Sequence, residues 1–412
     1  MKNKIFIKLK KIMVVLMITL ITFAINITST KAKQNLQTNS QNNSFINDKV
    51  DLGIESPSAI LIETSTNTII YEKNSKEHRP PASMTKIMSM ILIMDAIKNG
   101  SLTIEDNVLI SENASSMGGS QVYLNTGETY KVKELLKSIA IASANDAVVA
   151  MAEKVGGTVE KFVSMMNEKC SELGCTHTNF VNPHGLDAEG HYSSARDMAI
   201  MGNYLVKNYP KILEYTSIYE DYLQRPDGSN TWLVNTNKLV RFYEDVDGLK
   251  TGFTSTAGYC LTATAEKNNM RLVSTVMGVD TSDNRTSDTV KLLNYGFNSY
   301  KLSTIYQKNK VIDEVRVEKG KNDRVKIILM DDATELLNIN DKSKNYTINV
   351  KIDKIIAPIK KGSKIGTAEI IDNEGNIITN VGITVKEDVS KANLWDYFQR
   401  NLNIVMSGKN VI

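Results

Sequence analysis

The sequence predicts an α+β protein in which a cluster of helices packs on a largely antiparallel sheet, followed by a small all-β domain and a C-terminal amphipathic helix. Helical periodicity dominates from about residue 84 to residue 207, and strand-like runs stand on both sides of that region. Beyond residue 303 the pattern changes to short strand-like runs separated by turns. A chain of 412 residues has room for two or three domains with a well-buried core.

The N-terminus has the three parts of a secretory signal peptide. Five lysines precede an apolar stretch over residues 12–27, and Thr30-Lys31-Ala32 resembles a small-x-small cleavage site. The alternative is an uncleaved membrane anchor. We therefore predict a signal peptide over residues 1–32 and a flexible linker, rich in Asn, Gln and Ser, over residues 33–47. The mature protein would then lie outside the cytoplasm.

The first structured segment is predicted to be a β-hairpin that leads into a strong helix. Apolar, β-branched runs at residues 58–63 and 68–72 flank a polar turn. The helix is expected over residues 84–98, with Ser83 at the N-cap position and Gly100 beyond its end. Its apolar side chains predict a helix buried in the core, and the start of such a helix is a rigid support for functional residues.

The rest of this first domain, predicted over residues 48–302, is mostly helical. We expect helices over residues 131–141, 146–155, 158–173, 194–207 and 283–298. Strand-like runs at residues 259–265 and 271–279 are joined by a polar turn, and we expect them to share one sheet with the first hairpin.

The C-terminal part is predicted to form an all-β domain over residues 303–388. Its strand-like runs stand at residues 315–317, 325–329, 346–352 and 367–371. The last segment, residues 391–412, is an amphipathic helix with Trp395 and Phe398 on its apolar stripe. Such a helix either lies in a membrane interface or docks onto the β domain, and its periodicity does not separate the two.

Composition excludes several classes of function. The net charge is only +3, and we find no basic stripe and no Gly-rich phosphate loop, so we expect no nucleic-acid partner. Three cysteines are too few for a disulfide framework and are predicted to be packing residues, with a Cys170–Cys175 bridge as the alternative. His184 and His191 have no His-Glu-x-x-His pattern and no carboxylate cluster beside them, so we predict structural roles for both, no metal and no cofactor.

Ser83-Met84-Thr85-Lys86 places a hydroxyl nucleophile and an amine base three residues apart. Residues at this spacing share one face of a helix, and Ser83 is the only serine of the chain with a lysine three positions later. A serine nucleophile needs an adjacent base. Lysine serves only when its pKa is lowered, because at its ordinary value about one side chain in a few thousand is neutral at pH 7. Taken alone, Ser83 is equally well explained as a helix N-cap.

Two further triplets complete a constellation with this motif. Ser143-Ala144-Asn145 stands at the junction between two predicted helices, and Lys250-Thr251-Gly252 enters a predicted strand. Ser-x-Asn is not specific by itself. Ser282-Asp283-Asn284 also matches the Ser-x-Asn pattern, but it follows Lys250 instead of preceding it and is predicted to open a polar turn. We therefore interpret it as a chance match that does not belong to the site.

In this order the three motifs resemble those of the penicilloyl-serine transferases. Within that group the chain resembles the D-alanyl-D-alanine carboxypeptidases, the low-molecular-mass penicillin-binding proteins. The longer stretches that carry this resemblance are residues 179–186, 190–197, 247–254 and 257–260. The resemblance extends over residues 55–300, and in outline over the β domain. It implies a β-lactamase/transpeptidase-like fold for the first domain.

The resemblance implies catalytic roles for Ser83, Lys86 and Ser143, and a place among the substrate-binding residues for Asn145. Ser83 would attack the carbonyl between the last two D-alanines and form an acyl-enzyme, and Lys86 would accept its proton. Burial and the cation of Lys250 would lower the pKa of Lys86. Ser143 would relay a proton to the leaving amine, and Asn145 would hold either Lys86 or the substrate amide.

The remaining implied roles concern substrate binding. Lys250 would bind the terminal carboxylate, assisted by Thr251, and Gly252 would leave room for substrate along the strand edge. The backbone amides of Ser83 and Phe253 would form the oxyanion hole. Many members of the family have His at the position of Phe253, and we expect function to survive the difference because the backbone is the donor. Arg285 is a further candidate for carboxylate recognition.

The resemblance thus implies a serine-type DD-carboxypeptidase that removes the terminal D-alanine from peptidoglycan pentapeptide stems, and the predicted signal peptide implies its export. Its partners would be those stem peptides, β-lactams that acylate it, and the outer face of the cytoplasmic membrane. One alternative is a β-lactamase. Class A enzymes use a Glu to activate the deacylating water, and no Glu-x-x-Leu-Asn stands between Ser143 and Lys250. The other alternative is a non-catalytic penicillin sensor, which needs acylation but no turnover.

Overall fold

The computed structural model describes residues 50–342 and 344–406. The predicted signal peptide, the linker and residues 407–412 of the terminal segment lie outside the described residues. The α-helices are, in chain order, α1 Lys86–Lys98, α2 Glu112–Ser115, α3 Val132–Ile141, α4 Asn145–Gly156, α5 Val159–Glu172, α6 Ala195–Asn208, α7 Leu213–Thr216, α8 Leu239–Phe242, α9 Ser282–Ser299 and α10 Leu394–Met406.

The strands follow the same numbering. They are β1 Ser58–Glu63, β2 Ile69–Lys73, β3 Asn107–Leu109, β4 Thr129–Lys131, β5 Glu220–Gln224, β6 Asn230–Val234, β7 Val246–Thr254, β8 Gly258–Lys267, β9 Met270–Val279, β10 Tyr300–Tyr306, β11 Val311–Arg316, β12 Arg324–Leu329, β13 Ala333–Asn338, β14 Tyr346–Ile352, β15 Gly366–Asp372 and β16 Ile377–Val385. Two short 3-10 turns, Ala82–Thr85 and Pro210–Ile212, precede α1 and α7.

An antiparallel five-stranded sheet organises the first part of the chain, in the order β2-β1-β9-β8-β7. The hairpin β1–β2 joins the late strands because Ile60 of β1 lies opposite Thr275 of β9. This long-range pairing confirms the prediction that the first hairpin and the last strands share a sheet. β7 lies at the edge, with Thr251 opposite Leu261 of β8.

Helices cover both faces of this sheet. Side chains of successive strand residues point to opposite faces, and in β1 Ile60 joins the core formed with α1 and α4–α6, whereas Leu61 joins the core formed with α9. α1 is buried over almost its whole length, with only the last turn reaching solvent. A helix that is apolar all round is a core helix, so the prediction of a buried α1 is confirmed.

The start of α1 differs from the prediction. Ser83 is not an N-cap, because it lies inside the 3-10 turn and the first α-helical residue is Lys86. Neither the 3-10 turn nor α1 has a side-chain cap at its start, because their N-cap residues, Pro81 and Thr85, make no capping hydrogen bond. The Ser83 hydroxyl is thereby left for another partner.

The C-terminal part forms a second antiparallel sheet, in the order β11-β12-β16-β15-β14, together with the strand pair β10–β13. The predicted fold class, helices on an antiparallel sheet followed by an all-β domain and a C-terminal helix, is confirmed. Three strands of the C-terminal part, β10, β13 and β16, were not predicted. Among the described residues no helix combines the length and the apolar character needed to cross a bilayer.

Candidate active site

The 3-10 turn and the first residue of α1 hold the predicted nucleophile and base against each other. Lys86 Nζ lies 2.9 Å from Ser83 Oγ, as the three-residue spacing requires. Ser83 is half-buried and reaches solvent, whereas Lys86 is completely buried. The pair therefore combines an accessible hydroxyl with an amine shielded from water.

Lys86 Nζ has two further partners, Asn145 Oδ1 at 2.7 Å and the carbonyl oxygen of His184 at 2.8 Å. Both are acceptors, so a neutral Lys86 can donate its two hydrogens to them and direct its lone pair at the Ser83 hydroxyl. Burial, and secondly the cation of Lys250, hold the pKa of Lys86 well below its ordinary value, while Asp146 acts in the opposite direction. The amine is thus arranged to accept a proton from Ser83.

Ser143 and Asn145 lie where α3 ends and α4 begins. Asn145 Nδ2 donates to the carbonyl oxygen of Gly118 at 2.7 Å, which turns the Asn145 oxygen toward Lys86. Of the two roles considered for Asn145, it is therefore the contact with Lys86 that is present. Ser143 is buried with a left-handed φ of 62°, and its hydroxyl has no hydrogen-bond partner among the described residues.

Lys250 and Arg285 form a buried pair of cations beside this group. Lys250 Nζ donates to the Thr251 carbonyl oxygen at 3.2 Å, and Arg285 Nη2 donates to Ser282 Oγ at 3.1 Å. Neither side chain is paired with a carboxylate in the part of the chain that the structure describes, and Arg285 Nε has no partner there. Burial and the charge of Arg285 lower the pKa of Lys250 to about 7. Buried charges are normally paired, so this arrangement suits an anionic ligand.

Two expectations about this region need correction. Gly252 does not leave open space, because a Cβ there would lie 2.7 Å from the Pro81 carbonyl oxygen. Glycine instead lets edge strand β7 approach the backbone that leads into Ser83. Ser282 opens α9 and not a polar turn, with Thr281 as its N-cap.

The predicted oxyanion-hole residue Phe253 lies within β7, directly after Gly252. Its ring is exposed and lies 4.3 Å from the ring of Tyr259, its cross-strand neighbour. Thr251, two residues before Phe253 on the same strand, donates its Oγ1 hydrogen to Thr236 Oγ1 at 2.6 Å. The side chain of Phe253 therefore points into solvent, and only its backbone belongs to the strand.

Sequence reasoning missed the loop over residues 182–191 as part of the site. Its backbone contacts the start of α1, because the His184 carbonyl accepts from Lys86 and the Pro183 carbonyl accepts from Ser89 Oγ at 2.7 Å. Gly185 has φ +90°, and a Cβ there would lie 1.9 Å from the Ala82 carbonyl oxygen. Because the main chain makes these contacts, no side-chain type marks them in the sequence. The available signal for this loop was the longer motif over residues 179–186.

Asp146 is a second missed residue. Its buried carboxylate accepts hydrogen bonds from the backbone N–H groups of Val122 and Leu124, both near 3.1 Å. It thereby fastens the loop containing Gly118, the partner of Asn145, to the start of α4.

The remaining predicted residues have structural positions. The three cysteines are buried and free. His184 Nδ1 accepts from the Leu186 N–H at 3.2 Å, and burial, Lys86 and His191 lower its pKa to about 4. Within the described residues no group of His, Cys, Asp and Glu is placed to hold a metal ion.

Comparison with known protein families gives two matches that together follow most of the chain. The family model described as D-alanyl-D-alanine carboxypeptidase matches residues 30–281, and that described as penicillin-binding protein 5, C-terminal domain, matches residues 300–391. Among curated proteins, D-alanyl-D-alanine carboxypeptidase DacF of Bacillus subtilis is 44% identical over 353 residues, which is 85% of this chain and 90% of the relative. DacA of Escherichia coli is 33% identical and covers 83% and 85%.

Solved structures agree with these matches. Penicillin-binding protein 5 from Haemophilus influenzae is 32% identical with a TM-score of 0.66, and the alignment covers 82% of this chain and 98% of that one. Penicillin-binding protein D2 from Listeria monocytogenes, in its ampicillin-bound form, is 30% identical with a TM-score of 0.55 and covers 60% and 100%.

Proposed function

Because the chain belongs to the D-alanyl-D-alanine carboxypeptidase family and is a serine DD-carboxypeptidase and penicillin-binding protein, we propose that Ser83 is its nucleophile and Lys86 its base. The β-lactamase and sensor alternatives are thereby set aside. The observation that carries the proposal is the buried Lys86 amine, which lies within hydrogen-bond distance of Ser83 and whose pKa is lowered by burial.

The proposed reaction forms an acyl-enzyme on Ser83 and then hydrolyses it. Lys86 takes the proton of Ser83 Oγ while this oxygen forms a bond to the carbonyl carbon of the penultimate D-alanine. The oxyanion lies against the backbone N–H groups of Ser83 and Phe253, and one such donor is typically worth about 3 kcal/mol. Collapse of the intermediate breaks the C–N bond, and the departing D-alanine amine receives the proton from Lys86 through Ser143. Water then attacks the ester carbonyl carbon while Lys86 takes its proton; the bond between this carbon and Ser83 Oγ breaks, Lys86 returns the proton to Ser83 Oγ, and the shortened stem leaves as the free acid.

The proposed proton relay has support in the state of Ser143. Its hydroxyl is buried, unpartnered in the described structure and held in a left-handed backbone conformation. Such strain costs about 1–3 kcal/mol and persists mainly at functional positions. A hydroxyl with no competing partner is free to bridge Lys86 and the leaving amine.

Lys250, Thr251 and Arg285 are proposed to bind the terminal carboxylate of the substrate. Charge-assisted hydrogen bonds from two buried cations discriminate strongly in favour of a free carboxylate. This preference explains cleavage at the C-terminal residue of a stem peptide, and the carboxylate of a β-lactam fits the same donors.

The direct test is release of D-alanine from a peptide that ends in D-Ala-D-Ala. The purified protein should release D-alanine, and Ser83→Ala should abolish both this release and covalent labelling by a fluorescent penicillin. Ser164→Ala, which changes an exposed serine on α5, serves as the matched control and should behave as wild type. Covalent labelling of folded Ser83→Ala would show that the nucleophile is a different residue.

We further propose that the mature protein, residues 33–412, is exported and attached by α10 to the outer face of the cytoplasmic membrane. Those apolar side chains of α10 that the structure describes are exposed, including Trp395 at 63% and Phe398 at 55%, and the rings of these two stack 5.3 Å apart. Arg400 holds the helix to the β domain by donating to the carbonyl oxygens of Gly320 and Lys321, both at 2.7 Å. This polar attachment leaves the apolar stripe available to lipid.

Sedimentation with lipid vesicles of mixed phosphatidylglycerol and phosphatidylethanolamine tests the attachment. The double variant Trp395→Ser/Phe398→Ser should stay in the supernatant while wild type pellets. Trp232→Ser is the matched control, since Trp232 on β6 is 59% exposed and lies outside α10. Equal pelleting of the double variant and wild type would instead favour docking of α10 onto protein.

A further inference from the structure

His191 lies directly beneath the turn that carries Ser83. Its ring is buried, and Nε2 lies 2.9 Å from the hydroxyl of Thr85, the residue before Lys86. The other ring nitrogen, Nδ1, accepts a hydrogen bond from the backbone N–H of Val181 at 3.1 Å. A neutral imidazole has one donor and one acceptor nitrogen. Since Nδ1 is the acceptor, Nε2 carries the hydrogen and donates it to Thr85 Oγ1.

The position and charge state of His191 are themselves fixed by its surroundings. Its backbone N–H donates to the Ala188 carbonyl, and its ring lies 5.8 Å from that of Phe180. Burial lowers the pKa of His191 to about 4, although Asp187 acts in the opposite direction. The imidazole is therefore neutral at neutral pH, as the donor role toward Thr85 requires.

The turn needs such support because it has little of its own. It contains four residues, no side chain caps it, and Ala82 adopts a left-handed φ of 47° that is unfavourable for a residue with a Cβ. Contacts from outside help to hold it, among them Gly185 against the Ala82 carbonyl, Gly252 beside Pro81, and His191 on Thr85. Besides Lys86 Nζ on Ser83 Oγ and Thr262 Oγ1 on Met84 Sδ at 3.4 Å, the His191 contact is a side-chain hydrogen bond to the turn, and it is the one that reaches Thr85.

We propose that His191 is a positioning residue for acylation, which holds the Thr85 hydroxyl and so keeps Ser83 Oγ in line with Lys86 Nζ. The proposal rests on the proposed function of Ser83 as nucleophile. Loss of the contact lets the turn shift, and misplacement of a nucleophile lowers the rate of the chemical step without removing the groups that bind substrate. The effect therefore belongs to the acylation rate constant and not to the affinity of the non-covalent complex.

Stopped-flow labelling with a fluorescent penicillin separates these two quantities. His191→Phe fills the space without a donor, and Thr85→Val removes the acceptor with little change of shape. Each should lower the acylation rate constant about tenfold, the order of magnitude of a lost buried hydrogen bond, with the dissociation constant of the non-covalent complex unchanged. The double variant should be no slower than the slower single variant, because both remove the same contact.

Two conservative variants provide the rescue that a merely space-filling role does not predict. His191→Gln can accept from Val181 N–H and donate to Thr85, and Thr85→Ser keeps the hydroxyl, so both should stay within about threefold of wild type. The proposal would be overturned if folded Thr85→Val acylates at the wild-type rate, or if Thr85→Val and Thr85→Ser acylate at equal rates. These two Thr85 variants test the proposal even if His191→Phe does not fold. Ser83→Ala in the same series separates the two hypotheses, because labelling of that variant would refute the nucleophile and not the contact.

Discussion

Replacing Asn145 by Asp adds a charge beside Lys86 while leaving the shape of the side chain almost unchanged. Asn145 Oδ1 lies 2.7 Å from Lys86 Nζ, and both side chains are buried. A carboxylate at this position stabilises the ammonium form of Lys86 and raises its pKa, which opposes the lowering by burial and Lys250. We expect Asn145→Asp to acylate more slowly than wild type at neutral pH because a larger fraction of its base is protonated.

The distance sets the size of this effect. Two unit charges 2.7 Å apart interact by about 6 kcal/mol at an effective dielectric constant of about 20. Even one third of this energy, about 2 kcal/mol, lowers the ratio of neutral to protonated Lys86 about thirtyfold at a given pH. The contact of the side chain with the Gly118 carbonyl is lost as well, because a carboxylate oxygen has no hydrogen to donate there.

The assay is the acylation rate constant for a fluorescent penicillin, measured as a function of pH over the range in which the variants remain folded. For Asn145→Asp the rate should fall by up to about thirtyfold at neutral pH and recover as the pH rises. Asn145→Ala is the control without added charge, and it should slow acylation at every pH without the strong recovery. An Asn145→Asp profile with the same midpoint as wild type would refute the assignment of Lys86 as the titrating base.

Three further predictions concern other parts of the site. Since the pKa of Lys250 is about 7, its charge is present below that pH and lost above it. The ratio of kcat/KM for a D-Ala-D-Ala peptide to kcat/KM for its C-terminal amide should therefore fall as the pH rises through 7. A ratio that does not change with pH would contradict the contact between Lys250 and the substrate carboxylate. Gly185→Ala places a Cβ against the Ala82 carbonyl oxygen and should destabilise the protein by about 3 kcal/mol or more in calorimetry, whereas Gly190→Ala, with a similar φ but its nearest atom 3.7 Å away, should cost clearly less. Phe253→Ala should keep the acylation rate within about threefold of wild type, because the proposed donor is a backbone amide; a large loss would assign a role to the ring.

The helices were predictable because their apolar periodicity is strong. The helix predicted over residues 194–207 is Ala195–Asn208, and the one predicted over residues 283–298 is Ser282–Ser299. The strands that were missed have weaker patterns. β3 and β4 contain three residues each, and β16 is interrupted by Asn380 and Gly382, both unfavourable in strands.

The site was predictable as far as it depends on side-chain chemistry. The motifs identified Ser83, Lys86 and Asn145 as neighbours, and the structure brings these three together. Sequence reasoning did not find the His184 carbonyl, because any residue supplies a carbonyl oxygen. It also misread Gly252, since the sequence shows that a side chain is missing but not which atoms fill the space.

The N-terminal prediction for α1 failed for a physical reason. Serine before an apolar helical run is typical of an N-cap, yet here the Ser83 hydroxyl is turned toward Lys86 and the backbone forms a 3-10 turn instead. A local preference gave way to the arrangement of the site, as is common where strain accompanies function.

The most direct test of the central claim, that the buried Lys86 amine activates Ser83, is to locate the covalent bond. Protein incubated with benzylpenicillin, quenched in acid and digested should yield one penicilloyl-modified peptide, with the added mass on Ser83. Lys86→Met, which keeps the apolar stem and removes the amine, should give no adduct under the same conditions. An adduct on any other residue, or undiminished modification of Ser83 in folded Lys86→Met, would contradict the account.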